Sequence, residues 1–223
     1  MNEQSLSLSF GNSLTEEVAG IAGEYAELGL DALVEEGLFK EIPIVSTAAA
    51  VYRIGKSIRE KHHVAKLISF LNEINNGIVD GEKREVYREK FATNEKFRNQ
   101  ELEYILILTD RYIGFDKPQM LAKLYLAYLD EIINWMTFIK YAECIDRFLP
   151  GDQLVLDSAE IEKAQYNDNY DAVSRLEALG LIGRKVEVVP IYHEQEQNLE
   201  LKNSDEYTLT GFGWKLKQIL ECY

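Results

Sequence analysis

The stretch from Asn169 to Arg184 constrains the fold more than any other part of the chain. It reads Asn-Tyr-Asp-Ala-Val-Ser-Arg-Leu-Glu-Ala-Leu-Gly-Leu-Ile-Gly-Arg, and its apolar residues Val173, Leu176 and Leu179 recur at helical spacing. Gly180 predicts the end of this helix, because glycine readily adopts the left-handed conformation that closes helices. The residues that follow are rich in valine and isoleucine, which predicts a strand packing back on the helix.

A second stretch, Tyr-Thr-Leu-Thr-Gly-Phe at positions 207–212, completes this pattern. It predicts a returning strand over residues 206–209 and a closing helix that contains Trp214. A helix, a strand, a wing over residues 191–204, a second strand and a last helix follow one another in the order of a winged helix. We therefore expect residues 150–223 to form a winged-helix-like domain with a small β-hairpin wing.

The rest of the chain has the apolar spacing of helices rather than strands, so the predicted fold class is mostly α. We expect residues 1–12 to be a flexible tail and residues 13–149 to form a multi-helix domain. A capping box of Ser13 and Glu16 predicts the first helix. The dipeptide Pro150-Gly151 marks the expected boundary with the second domain.

The formal net charge of -14 argues against a protein that coats nucleic acid, because phosphate contacts require lysine and arginine. The charge is unevenly distributed. Residues 1–38 carry eight acids and no bases, whereas residues 39–100 carry twelve bases and eight acids. Only this second segment has an excess of positive charge, and any anion-binding surface is expected there.

Five residues of that segment follow one another at steps of three or four and predict a basic stripe along one helix face. They are Arg53, Lys56, Arg59, His63 and Lys66. Three interpretations remain open. The stripe forms salt bridges with the acidic N-terminal helices, it lies on a membrane surface opposite the apolar face, or it binds phosphate groups of a nucleic acid.

The least polar run of the chain precedes this stripe. Residues 42–52 are eleven residues without a charge, bracketed by Glu41 and Arg53. A membrane-spanning helix needs about 20 apolar residues, so we expect no transmembrane helix, although peripheral membrane contact remains possible for residues 39–66. The N-terminus lacks the pattern of a signal peptide, and the only cysteines are Cys144 and Cys222. We expect a cytoplasmic protein.

The sequence shows no motif that carries a known chemistry. A glycine-rich phosphate loop, a His-Glu-x-x-His pair and a Gly-x-Ser-x-Gly elbow are all missing. His62 and His63 are adjacent, so they point to different faces of a helix and cannot hold a metal together. We therefore predict no catalytic, cofactor-binding or metal-binding residues, and a protein that is not an enzyme.

The predicted winged helix offers its own candidate contact residues, which are Tyr170, Ser174, Arg175, Arg184 and Lys185. Arg175 is the only base in the predicted recognition helix, and the wing holds Glu194, Glu196 and Glu200. This charge distribution favours contact with protein, or with another copy of the chain, over contact with DNA. A DNA-binding transcriptional regulator is the first alternative, and a membrane-active effector is the second.

The motifs Arg-Leu-Glu-Ala-Leu-Gly-Leu-Ile and Tyr-Thr-Leu-Thr-Gly-Phe-Gly, placed before a helix that ends in cysteine, resemble those of bacterial Abi-alpha-like proteins. These proteins are associated with abortive phage infection. The resemblance is clearest over residues 169–222, and residues 43–74 resemble a segment of small bacterial proteins of the same type. It implies a bacterial cytoplasmic protein with a role in phage defence, and it brings no catalytic residue to this chain.

Overall fold

The computed structural model describes residues 3–15, 58–157, 160–161, 169–193 and 196–223. Backbone contacts divide the chain between Asp146 and Arg147 into an N-terminal unit and a C-terminal unit of residues 147–222. The boundary predicted from the sequence, at Pro150-Gly151, lies slightly later in the chain. The described residues are mostly helical with a small antiparallel sheet, as the sequence predicted.

The described part of the N-terminal unit consists of helices. They are α1 (Glu3–Thr15), α2 (Ile58–Asn76), α3 (Gly81–Thr93), α4 (Glu95–Arg111), α5 (Asp116–Leu129) and α6 (Trp135–Asp146). Short polar residues begin several of them. The side chain of Asp80 accepts hydrogen bonds from the first turn of α3, and those of Asn94 and Asn134 do the same for α4 and α6. These caps explain why the chain turns at each of these points.

Helix α5 forms the centre of this unit. It contacts α2, α3 and α6. Its buried residues surround it on all sides rather than along one stripe, which is expected for a helix enclosed by others. They are Pro118, Met120, Leu121, Ala122, Leu124, Tyr125, Leu126, Ala127 and Leu129.

The prediction of a flexible tail over residues 1–12 is wrong. Residues 3–15 form a helix, and Phe10 is fully buried with its ring 5.8 Å from that of Phe70. Ser13 does not cap a helix here; it lies inside α1 and its hydroxyl donates to the carbonyl of Ser9. The short helix has little stability by itself, so its sequence looks like a tail until a tertiary contact for Phe10 is known. The helices predicted over residues 16–57 lie outside the described residues.

The C-terminal unit contains α7 (Asp152–Asp157), β1 (Glu160–Ile161), α8 (Tyr170–Ala178), β2 (Ile182–His193), β3 (Glu196–Leu209) and α9 (Gly211–Cys222). The strands form an antiparallel sheet in the order β1-β3-β2. One detail differs from the sequence prediction. The returning strand begins at Glu196 rather than at residue 206, so most of the expected wing loop is part of the hairpin.

The two sequence motifs that predicted this unit lie against each other. Gly180 has a positive φ of 71°, and the amide of Leu181 donates to the carbonyl of Leu176, which closes α8 in a Schellman motif. The amide of Thr210 then donates to the carbonyl of Leu181 at 3.0 Å. At Gly213 a Cβ atom would lie 1.9 Å from that same carbonyl oxygen, so only glycine permits this approach.

Candidate functional site

The described members of the basic stripe lie against the C-terminal end of α4. Arg59 forms a salt bridge with Asp110, while 80% of its side chain remains exposed. This hydrogen-bonded guanidinium lowers the pKa of the Asp110 carboxyl. Arg59 therefore forms an ion pair, but with an acid of α4 and not with the N-terminal helices named in the salt-bridge interpretation. Arg53, Lys56 and the acidic helices that were the expected partners lie outside the described residues.

Lys66 is not a surface contact, in contrast to the prediction. Its side chain is 2% exposed, and its ammonium donates to the backbone carbonyl of Asp110 at 3.0 Å and to that of Tyr112. Carbonyls at the end of a helix lack partners within the helix and carry the negative end of its dipole, so a buried lysine suits them. Burial lowers the pKa of Lys66. Its role is to cap α4, and it is unavailable to a membrane or a phosphate.

Thr109, His63 and Asp110 superficially resemble a nucleophile, the base that activates it and the acid that orients the base. The ring nitrogen Nε2 of His63 lies 3.3 Å from the hydroxyl of Thr109, and Nδ1 lies 3.8 Å from a carboxylate oxygen of Asp110. The hydroxyl, however, donates its single proton to the carbonyl of Ile105 at 2.8 Å, and Thr109 is fully buried. The Thr109 hydroxyl is therefore inaccessible to a substrate, and the cluster has a structural role.

Among the described residues of the N-terminal unit, Glu101 is a buried acid that was not among the predicted site residues. This residue is 2% exposed and has three phenol donors. One carboxylate oxygen accepts from Tyr87 at 2.8 Å and from Tyr125 at 2.7 Å, and the other accepts from Tyr128 at 2.7 Å. The phenols come from α3 and α5, so a single carboxylate on α4 connects three helices.

This network lies within a cluster of rings. Tyr87 packs against Phe91 and Phe97, and Tyr128 packs against Trp135 and Phe138. Burial raises the pKa of the Glu101 carboxyl, although the three phenols oppose that effect. With every oxygen occupied by a protein donor and almost no exposure, Glu101 holds helices together and is not placed to act on a ligand.

The sequence did contain a signal for this site. Glu101, Ile105 and Leu108 are spaced as residues of one helix face, and the latter two are buried. An acid in an apolar stripe indicates a buried polar site. The partners of Glu101 could not be identified from the sequence, because Tyr87 and Tyr128 are far from it along the chain.

A cleft of about 1610 Å³ opens along α1, α2, α3 and α4 in the N-terminal unit. Its lining includes bases such as Arg88 and Arg98 and acids such as Glu85, Glu89 and Glu95. The lining therefore carries charges of both signs and favours neither an anionic nor a cationic ligand.

In the C-terminal unit, Arg175 is held by Asp152 of α7. Two guanidinium nitrogens, Nε and one Nη, each donate to a carboxylate oxygen of Asp152 at 2.6 Å. Asp152 is fully buried and also accepts from the amide of Leu149, while Asp171 adds a weaker contact to the guanidinium at 3.3 Å. Asp152 raises the pKa of Arg175 further above its ordinary value. The bidentate pair fixes α8 on α7.

The other candidates on this unit have acidic partners as well, or are polar and uncharged. Arg184 lies 3.6 Å from a carboxylate oxygen of Glu177 and stacks on the ring of Tyr207, and Lys185 lies 2.9 Å from Glu206. Tyr170 is 59% exposed at the start of α8 and Ser174 is half-buried. The three predicted cations are therefore all engaged in ion pairs with acids of the same unit.

Within the described residues, no group of histidine, cysteine, aspartate and glutamate is arranged to hold a metal ion. Cys144 is buried and Cys222 is exposed, and neither is in a disulfide. No helix in this described part of the chain is both long enough and apolar enough to cross a membrane.

No protein family model, curated protein or solved structure matches this chain.

Proposed function

We propose that the C-terminal unit is a winged-helix-like module that contacts other protein chains or copies of itself. In this proposal the whole chain is a non-enzymatic bacterial protein of the cytoplasm with a role in abortive phage defence. The observation that carries the contact function is the ion pair between Arg175 and Asp152, because it occupies the single base of the recognition-like helix. The phage-defence role rests on the resemblance of residues 169–222 to Abi-alpha-like proteins.

The order of the elements supports the winged-helix proposal. The described elements follow one another as α7, β1, α8, the β2–β3 hairpin and α9. In this proposal α8 corresponds to the recognition helix and the hairpin to the wing. In DNA-binding members of that class, bases of the second helix and the wing contact the duplex. Here Arg175 donates to a buried carboxylate, and Arg184 and Lys185 pair with acids. Breaking the pair between Arg175 and the buried Asp152, so that Arg175 could contact a phosphate, would cost free energy and oppose DNA binding.

The charge of the segment supports the same conclusion. Residues 150–223 carry seven bases and fourteen acids, so the unit repels a polyanion at long range. Protein contact has no such requirement for net positive charge. A gel-shift series from about 50 to 200 mM salt with random duplex DNA distinguishes the two functions. We expect no shift at the lowest salt, and specific binding with a steep salt dependence would establish the regulator instead.

The protein-contact function is tested by affinity capture from phage-infected and mock-infected cells, using the full chain as bait. We expect a partner enriched on infection that binds again when both proteins are purified, or a bait that captures its own copies. A chain that is monomeric by light scattering and binds no purified candidate would refute the proposal. Flotation with anionic liposomes tests the membrane-active alternative, for which recovery of all the protein in the unbound fraction is expected.

A further inference from the structure

Helix α3 buries little of its own surface. More than half of its residues are charged, and Phe91 is its one buried residue. Hydrogen bonds hold its two ends, because Lys83 donates to the carbonyl of Asp130 at 2.6 Å and Arg98 of α4 donates to the carbonyl of Phe91 at 3.2 Å. Between these ends, the hydroxyl of Tyr87 contacts the buried network around Glu101. A helix with so few buried apolar contacts is expected to open at a low cost in free energy.

The hydroxyl of Tyr87 is one corner of a triangle of oxygens. It lies 2.8 Å from one carboxylate oxygen of Glu101, and the hydroxyl of Tyr125 lies 2.7 Å from that same oxygen. The two hydroxyls also contact each other. Tyr128 donates to the other carboxylate oxygen and is outside this triangle. We call the groups of Glu101, Tyr87 and Tyr125 the oxygen triangle, and its three sides are all short enough for hydrogen bonds.

The number of protons decides whether all three sides are hydrogen bonds. Each phenol has one proton to donate. Burial raises the pKa of both Tyr87 and Tyr125, so both keep their protons. A protonated Glu101 adds the third proton, and each oxygen then donates one bond and accepts another. With Glu101 ionised, both phenols donate to the carboxylate, and their own contact brings two oxygens together with no proton between them, which is unfavourable.

We propose that the oxygen triangle is a proton-dependent switch that controls the docking of helix α3. With Glu101 protonated, the triangle is complete and Tyr87 holds α3 on α4 and α5. With Glu101 ionised, the two phenols move apart. Tyr125 is fully buried on α5, the central helix of the unit, so the displacement falls on Tyr87 and on the helix that buries only Phe91. Helix α3 then opens more often.

The groups around Glu101 determine the direction of the pH response. Burial raises the pKa of the Glu101 carboxyl, and its three phenol donors and the charge of Lys90 on α3 oppose that rise. Because the pKa is raised overall, the closed state binds the proton more tightly than the open state does. The closed state is therefore fully favoured below the ordinary pKa, and this advantage is lost as the pH rises through the raised pKa.

The other neighbouring helices place their charged groups at other points of α4. Helix α1 has one charged residue, Glu3, at its first position. Two bases of α2 contact Asp110, about 14 Å beyond Glu101 along α4. They are Arg59 and Lys66. Glu143 of α6 accepts a hydrogen bond from Tyr104 of α4 at 3.3 Å. These contacts leave ionisation of Glu101 as the event that changes the oxygen triangle.

Hydrogen exchange followed by mass spectrometry tests the switch in the full chain. The measured quantity is the protection of the amides of residues 81–93, corrected for the intrinsic effect of pH and divided by that of residues 135–146. In the wild type, we expect this relative protection to fall at least about threefold from about pH 4.5 to about pH 7.5. In Glu101→Gln the amide cannot ionise and donates in place of the acid hydroxyl, so the ratio should stay within about 1.5-fold.

Two tyrosines on the same carboxylate provide a matched control. Tyr87→Phe removes a hydroxyl from the oxygen triangle, and Tyr128→Phe removes one from the other carboxylate oxygen. We expect Tyr87→Phe to lower the protection of α3 about fivefold at low pH, the effect of one lost hydrogen bond, and to abolish its pH dependence. Tyr128→Phe should retain the pH dependence with a midpoint at higher pH, because the carboxylate loses a donor.

Far-UV circular dichroism at about pH 4.5 shows whether each variant keeps the helical content of the wild type. A wild-type ratio that does not change with pH overturns the switch, and so does a Glu101→Gln variant that keeps the full pH dependence. Equal effects of Tyr87→Phe and Tyr128→Phe overturn it as well, since the carboxylate would then stabilise the whole unit. If Glu101→Gln does not fold, the two tyrosine variants decide. The proposed contact function of the C-terminal unit is independent of these outcomes.

Discussion

The N-terminal unit buries Glu101 among three neutral phenols, whereas the C-terminal unit buries Asp152 against the guanidinium of Arg175. Lys66 follows the first pattern, since its buried ammonium donates to two backbone carbonyls. In one unit, dipoles satisfy buried charges; in the other, a charge of opposite sign does. This difference determines how much stability each unit loses when one partner is replaced. Each unit contains one tryptophan whose fluorescence reports its unfolding, Trp135 in the N-terminal unit and Trp214 in the C-terminal unit.

The largest effect is expected for Glu101→Leu. It leaves three buried phenols without their acceptor, and each unsatisfied group destabilises by roughly 1 to 3 kcal/mol, so we expect a loss of about 4 kcal/mol in the free energy of unfolding. Glu101→Gln keeps one acceptor oxygen and should lose about half as much. Urea unfolding followed by Trp135 in a Trp214→Phe background measures this. The control is Glu103→Leu, since Glu103 is exposed on the same helix. Equal losses for positions 101 and 103 would contradict the proposed network.

The next effect is expected for Arg175→Met, which leaves the fully buried Asp152 without its cation. Breaking one partner of a buried ion pair destabilises by about 3 kcal/mol. The same substitution at Arg184, whose pair with Glu177 is half exposed, should lose less than about 1 kcal/mol. Trp214 fluorescence in a Trp135→Phe background reports both.

A further variant sharpens this comparison. Replacing both partners, as in Asp152→Leu with Arg175→Met, should recover part of the loss, because no charge is then left buried alone. A double variant less stable than Arg175→Met would show that Asp152 contributes mainly through its bond to the amide of Leu149.

The smallest effect concerns pH. Burial raises the pKa of Glu101 above its ordinary value of 4.5, so the folded protein holds that proton more tightly than the unfolded chain does. This contribution to stability is fully present below pH 4.5 and is lost as the pH rises through the folded-state pKa. The stability of the wild type relative to Glu101→Gln should therefore fall with rising pH in this range. An increase would show that the phenols outweigh burial and lower the pKa.

Much of the C-terminal unit could be predicted from the sequence, because its signals are local. Gly180 ends a helix, and the strands on either side of the hairpin follow from their residue types. The loop of the wing was predicted too long, because residues 194–206 are rich in polar and acidic side chains, which are typical of loops. Pairing with β2 extends the strand through most of them, and pairing between strands overrides the preference of a single strand.

The candidate sites could be predicted less well, because burial of a charge depends on distant neighbours. Lys66 and Arg59 belong to the same sequence stripe, yet one is 2% exposed and the other has a side chain that is 80% exposed. Asp152 and Arg175 are separated by most of two helices and an intervening strand. Phe10, likewise, looks like part of a polar tail until the ring of Phe70 is placed beside it.

The sequence by itself determined the local structure, since helical spacing, capping residues and glycines act over a few positions of the chain. It also determined the acidic character that disfavours nucleic acid. Only the tertiary structure decided which charges leave water and what replaces the water around them. The free energy of a buried charge depends on dipoles and counter-charges within a few ångströms, and for Glu101, Lys66 and Asp152 those groups come from other helices.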